Sequence, residues 1–327
     1  MANRHSRKPL IPPFSVAFQT PPAAPHWQRW LLFSPLARLL IFVLLALGLM
    51  LAGYAVADAL GWQGDDDTAL PAAATGLLTE AIPWLLAYLI LVCWVERRPV
   101  SELAWRTLLP HTLLGLLLGA ALFSTVIGIL GALGVYHITG TRAEMHWLAA
   151  VLSLGVVPAI GEEIVSRGVL FRIVEEGLGT WVALVVSALF FGLAHLGNPN
   201  ATLWSALAIA IEAGLLFGLI FHVTRSLYLC MGLHAAWNIL QGAVFGAPVS
   251  GLPAQGKLIA TLTGPDWLSG GAFGPEASPI AMVCCLAVAL PFLLAMRRRG
   301  SAVPPYWRRG GSLGADRDTG PTAAHSD

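Results

Sequence analysis

Charge is scarce in this chain: Asp, Glu, Lys and Arg make up 11% of its 327 residues, against about 25% in an ordinary soluble domain. So few polar groups cannot cover a soluble fold of this size, which excludes a soluble globular protein. Net charge is only +1, so there is no electrostatic case for a nucleic-acid partner. Cysteine is rare too. Cys93, Cys230, Cys284 and Cys285 fall within or at the ends of apolar stretches, and no Cys-x-x-Cys spacing occurs. Neither a disulfide framework nor a thiolate zinc site is indicated. A His-Glu-x-x-His zinc motif, a Gly-x-Ser-x-Gly elbow, a phosphate loop and an internal repeat are all missing. Asp58, Asp65, Asp66 and Asp67 lie outside the apolar core of the spans, so paired intramembrane aspartates are missing as well.

What the chain has is apolar length: 56% of its residues are hydrophobic. A helix needs about 20 residues to cross a hydrocarbon core. Eight segments are long enough, near 36–57, 72–95, 109–135, 147–171, 179–196, 201–222, 227–247 and 279–296. The expected fold is all-α, a polytopic transmembrane helical bundle of about eight spans. Pro158 and Gly161 are expected to interrupt the fourth span.

An even number of spans puts both termini on one side. That side collects nearly all the Lys and Arg, including Arg97, Arg98, Arg172, Arg225 and the run Arg297-Arg298-Arg299. The opposite side keeps Arg142 and Lys257 with the acidic run at 65–67. Positive residues favour the cytoplasm, so both termini are expected there. With no recognisable eukaryotic targeting signal, the expected location is a bacterial cytoplasmic membrane.

Composition divides the chain further. Residues 1–30 and 300–327 are Pro-, Gly- and Arg-rich without apolar periodicity and read as disordered cytoplasmic tails. Between them lie N-terminal transmembrane helices at 31–140, a catalytic transmembrane core at 141–247, an extracytoplasmic loop at 248–278 and a last helix at 279–299. The loop either caps a cavity or is an idle connector.

Three polar clusters interrupt the apolar helices of the core: Glu162, Glu163 and Arg167; Phe191 and His195; His234 and Asn238. Ionisable groups at bilayer depth are costly and usually mark a functional cavity. Glu163 and Arg167 are four apart, so they share a helix face and can pair. Glu162, rotated by about 100°, is left to point into a cavity as a proton-transfer group. The plainer reading is a helix end with its charges in the headgroups. His195 alone is as much a packing residue as a catalyst. His234 and Asn238 also share a face, fit to ligate a metal, position a water or hold an oxyanion, or simply to tie two helices together. Glu212, expected near mid-membrane, is a secondary candidate. Ser166 has no general base placed to activate it.

In this order on successive helices, the clusters resemble the CAAX-protease and bacteriocin-processing family of intramembrane proteases, whose pattern is Glu-Glu-x-x-x-Arg, Phe-x-x-x-His and His-x-x-x-Asn or Asp. The resemblance covers the fourth to seventh spans. It implies an intramembrane endopeptidase with a cavity open toward the cytoplasmic leaflet. Glu162 and His195 would activate water, and His234 and Asn238 would stabilise the oxyanion. Glu163, Arg167 and Phe191 would support them. Zn2+ on Glu162, His195 and His234 is one implied arrangement, and metal-free water activation is the other. The implied partners are the lipid bilayer and a membrane-associated protein or peptide substrate. Two rival readings stand: a non-catalytic scaffold or bacteriocin-immunity protein, and a proton-coupled transporter, which the missing repeat disfavours.

Overall fold

The computed structural model of the chain describes residues 18–62, 70–253 and 255–309. The acidic run at 65–67 and the outer parts of both tails lie outside the described residues.

Seven helices among the described residues are long and apolar enough to cross a membrane: α1 Pro35–Ala59, α2 Leu70–Val95, α3 Trp105–Ala132, α4 Trp147–Leu178, α5 Thr180–Gly197, α6 Leu203–Thr224 and, last in the chain, Pro279–Arg299. An eighth helix, α7, runs over 227–244, which makes the last one α8. The expected span at 227–247 therefore exists as a helix but falls outside the apolar group. Its own His234, Asn238 and Gln241 dilute it, and it is buried against other helices rather than lipid. The helix starts follow from local chemistry. Ser34, Ser226 and Ser278 cap α1, α7 and α8 by accepting from Ala37, Leu229 and Ala281 N–H, and Pro35 and Pro279 open α1 and α8. Thr202 and Ser205 form a reciprocal cap on α6.

Two expectations are corrected. Helix α4 is not interrupted at Pro158; π-helical turns at Val151–Val156 and Ile164–Phe171 absorb the missing backbone bond and carry the helix through. The fold is also not purely helical, since Tyr136–Thr141 (β1) pairs antiparallel with Leu258–Leu262 (β2). These strands join the loop after α3 to the loop after α7. The tails differ in part from the disorder expected of them. His26–Leu31 is a short helix, and Val303 is buried beside Thr180, whose hydroxyl accepts from Val303 N–H.

Ion pairs close one end of the bundle. Arg38 at the start of α1 bridges Glu96, just past α2, and Glu176 in the last turn of α4, while Arg172 reaches the same two acids. Arg98 pairs with Glu96 and Glu102. A second set joins Glu175 of α4 to His222 of α6 and to Arg225, just before α7. Phe18 N–H and the Arg309 guanidinium both bond to this last stretch of α4. Both ends of the described chain thus lie at the same end of the bundle, as eight alternating helices require.

Close backbone contact holds α7 in the centre. A Cβ on Gly115 or Gly119 of α3 would collide with the carbonyls of Leu229 or Leu233 in α7, and one on Gly232 would lie 2.5 Å from Thr112 O. This is the small-residue packing by which membrane helices approach without side chains between them. It fixes the helix that carries His234 and Asn238.

Candidate active site

Glu163 sits on the inward face of α4 and is fully buried. Its Oε1 accepts from Arg167 Nη1 at 3.0 Å and from His234 Nδ1 at 3.0 Å. Arg167, also fully buried, bonds onward to the Ala213 and Gly214 carbonyls of α6. Its guanidinium lies 4.6 Å from the Phe191 ring centre and 5.2 Å from that of Phe217, a cation–π stack from both sides. One acid and one arginine therefore lock α4, α5, α6 and α7 together.

The two histidines are oriented from behind. His195 Nδ1 lies 2.7 Å from Phe191 O, and a carbonyl only accepts, so Nδ1 carries the proton and Nε2 presents a lone pair. His234 Nδ1 is held by Glu163 in the same manner, so its Nε2 also points forward. Glu162, whose side chain is 36% exposed, places Oε2 3.8 Å from His195 Nε2 and 3.9 Å from His234 Nε2. That oxygen is itself shielded and has no hydrogen-bond partner. These gaps are too long for direct bonds and leave three polar atoms converging on one point. Gly161 admits the ring of Trp84 beside Glu162, since a Cβ there would lie 2.8 Å from Trp84 Cδ1.

His195 and Phe191 stand between two cavities. The outer one, about 230 Å³, runs between α2, α4 and α5 past Glu80, Trp84, Pro158, Glu162 and Asn198. The inner one, about 40 Å³, lies behind His195 and is lined by His234 and Asn238, with Glu212 and Glu276 opposite. The loop after α7 roofs it. Asn198 Nδ2 donates to Ser250 O at 3.0 Å, Ser250 N–H donates to Glu276, and Trp204 Nε1 donates to Ala277 O at 2.8 Å. Burial pushes the Glu276 carboxyl up, against the opposing pull of His195 and the Ser250 bonds.

Glu162, His195 and His234, picked from sequence, are thus brought together, with Glu163, Arg167 and Phe191 packed beside them, whereas Asn238 and Glu212 line the inner cavity and Asn238 makes no contact with Glu162 there. Sequence reading missed Glu80 as a wall residue and Glu276 as part of the roof. The isolated acid at 276, in a Gly- and Pro-rich loop, was the available signal.

The outer pocket lies toward the ends of α2, α4 and α5 that are remote from the ion pairs. The resemblance implies a cavity facing the cytoplasm, while the Lys and Arg distribution places the cytoplasm at the ion-paired end. The two expectations do not agree with each other in this fold.

Zinc would need donors closer together. Bonds of about 2.0 Å in a tetrahedron place ligand atoms about 3.3 Å apart, whereas Oε2 and the two Nε2 atoms are 3.8 and 3.9 Å apart. Among the described residues no group of three or more His, Cys, Asp or Glu is arranged to hold a metal ion.

Residues 144–240 match a family model described as type II CAAX prenyl endopeptidase Rce1-like. The matched Rce1-like segment is less than a third of the chain. It spans α4 to residue 240, in the last turns of α7, and contains all three polar clusters. Glu80 and the Ser250–Glu276 roof lie outside it. No curated protein matches the chain.

Proposed function

We propose that the chain is an intramembrane endopeptidase that hydrolyses a peptide bond of a membrane-associated protein or peptide with an activated water. One observation carries this reading: the unpartnered Glu162 Oε2 faces the forward nitrogens of two histidines whose rear nitrogens are already engaged. The Rce1-like match over the same helices supports it.

A water in that gap donates one hydrogen bond to Glu162 and one to His195 Nε2, which leaves an oxygen lone pair for the scissile carbonyl. As the new C–O bond forms, Glu162 takes up a proton. The oxyanion is held by Asn238 Nδ2 and, when His234 is protonated, by His234 Nε2–H. Collapse breaks the C–N bond, and Glu162 returns its proton to the leaving amine. Glu163, Arg167 and Phe191 touch no reacting atom and act by holding the two imidazoles. The mechanism uses water alone and routes no step through a metal.

The same reading takes the arginine-rich, ion-paired end as cytoplasmic. The outer pocket then opens in the other half of the membrane, and the substrate is a segment that reaches that half. Asn198→Cys tests this arm, because it should react with a membrane-impermeant thiol reagent in intact cells and not in inverted vesicles. For the hydrolytic arm, purified wild type in lipid nanodiscs should release new termini from a cleavable substrate. Glu162→Gln, equally folded, should not.

A further inference from the structure

Buried acids in this bundle come with cations. Glu96, Glu102, Glu163 and Glu175 each meet an arginine, as does the half-buried Glu176, and Glu163 and Glu175 meet a histidine as well. Among the described residues, two buried acids do not, and both line the inner cavity. Glu212 is 3% exposed, and its Oε1 meets no hydrogen-bond partner. Glu276, 3% exposed, accepts from Ser250 N–H and is opposed only by His195 and Gln241, without a direct ion pair. An uncompensated carboxylate in such a place is costly. The cavity asks for a positive charge.

Its walls say which kind. Phe191, Ile209, Phe217, Trp237 and Cys285 supply an apolar lining in front of the two carboxyls. One water needs about 10–15 Å³, so a cavity of about 40 Å³ suits a slender group such as the tip of one unbranched chain. An apolar stem that ends in an ammonium is the side chain of lysine. Phe191 and His195 border both cavities, so they stand where a side chain of a polypeptide bound at Glu162 would have to pass to reach the inner one.

We infer that the inner cavity is a subsite for a primary ammonium on an unbranched apolar stem, held by Glu212 and Glu276, and that it selects substrates with a lysine beside the scissile bond. This rests on the endopeptidase reading for its role but not for its binding chemistry. Glu212 and Glu276 lie on α6 and on the loop before α8, so the subsite forms only when the loop is seated on the bundle.

The test uses the full chain in lipid nanodiscs and three small probes. Calorimetry should show n-butylammonium binding at one site, at least tenfold tighter than methylammonium, which lacks the stem. The neutral isostere 1-butanol should not bind. Glu212→Gln and Glu276→Gln should each weaken n-butylammonium at least tenfold, whereas Glu80→Gln, in the outer cavity, should leave it unchanged. Should a Gln variant fail to fold, Ala213→Leu provides a second route, since it fills the cavity and keeps both carboxyls. Equal binding of 1-butanol, or undiminished amine binding in Glu212→Gln, overturns the subsite. So does the absence of any amine response, as expected if the two acids simply share a proton. Peptides that differ only by lysine or norleucine then report separately on turnover. If the amine binds but neither peptide is cut, the subsite stands and the endopeptidase reading falls.

Discussion

His195 Nδ1 is 2.7 Å from the carbonyl of Phe191, one turn earlier on the same helix, so its free Nε2 is aimed at Glu162. The Phe-x-x-x-His spacing thus positions the histidine through the backbone of the phenylalanine, while the phenyl ring rests on Arg167. His195→Ala should lower turnover by about 10²–10⁴-fold, the usual worth of a positioned acid or base, and leave the melting temperature within a few degrees of wild type. A scaffold reading predicts the reverse, a fall in stability with nothing to lose in turnover. Paired thermal melts and peptide-cleavage rates separate the two.

Glu163 carries a different load. It is fully buried between Arg167 and His234, and removing one partner of a buried pair costs about 3–5 kcal/mol. Glu163→Ala should therefore unfold at markedly lower denaturant, even where Glu162→Ala does not. Denaturant titration in mixed micelles reads this directly.

The ion-paired end should be sensitive to acid. Burial alone would raise Glu96 and Glu102, but Arg172, Arg38 and Arg98 around Glu96, and Arg98 beside Glu102, outweigh it and hold both carboxyls below their usual range. Groups with depressed folded values bind fewer protons folded than unfolded. Their stabilisation is fully present above the ordinary carboxylate value of about 4.3 and is lost as pH falls through the folded values. Melting temperature should be flat above about pH 5 with respect to these acids and drop below it, and Glu96→Gln should remove part of that drop. A pH series of thermal melts checks it.

Donor spacing predicts that metal is dispensable. Cleavage should survive dialysis against a chelator, with metal content by elemental analysis well below one per chain. Loss of activity that zinc restores would instead show that Glu162, His195 and His234 draw together around an ion.

The pairings within the candidate site were legible in helical periodicity, while its reading as a site came from the family resemblance. The four-residue spacings of Glu163 with Arg167 and of His234 with Asn238 put each pair on one face, and the hundred-degree step left Glu162 on another. Seven of the helices were equally legible from apolar length, and the gathered arginines foretold a common end for both termini. What was hidden depends on long-range contact. Nothing near Glu276 in sequence announces Glu212, which lies on α6, and the strand pairing of Tyr136–Thr141 with Leu258–Leu262 joins segments far apart in sequence, although Tyr136, Ile138, Thr139 and Thr141 are residues that favour strands. The continuity of α4 through Pro158 was hidden for a different reason: a π-helical turn relieves the proline by a local change of winding that propensity does not encode.

The most direct test of the central claim maps new N- and C-termini by mass spectrometry in membranes that contain equal amounts of folded wild type or Glu162→Gln. The account predicts fragments that appear only with wild type, cut within or beside membrane segments on the side away from the basic end. The same fragments at the same rate from Glu162→Gln would contradict it.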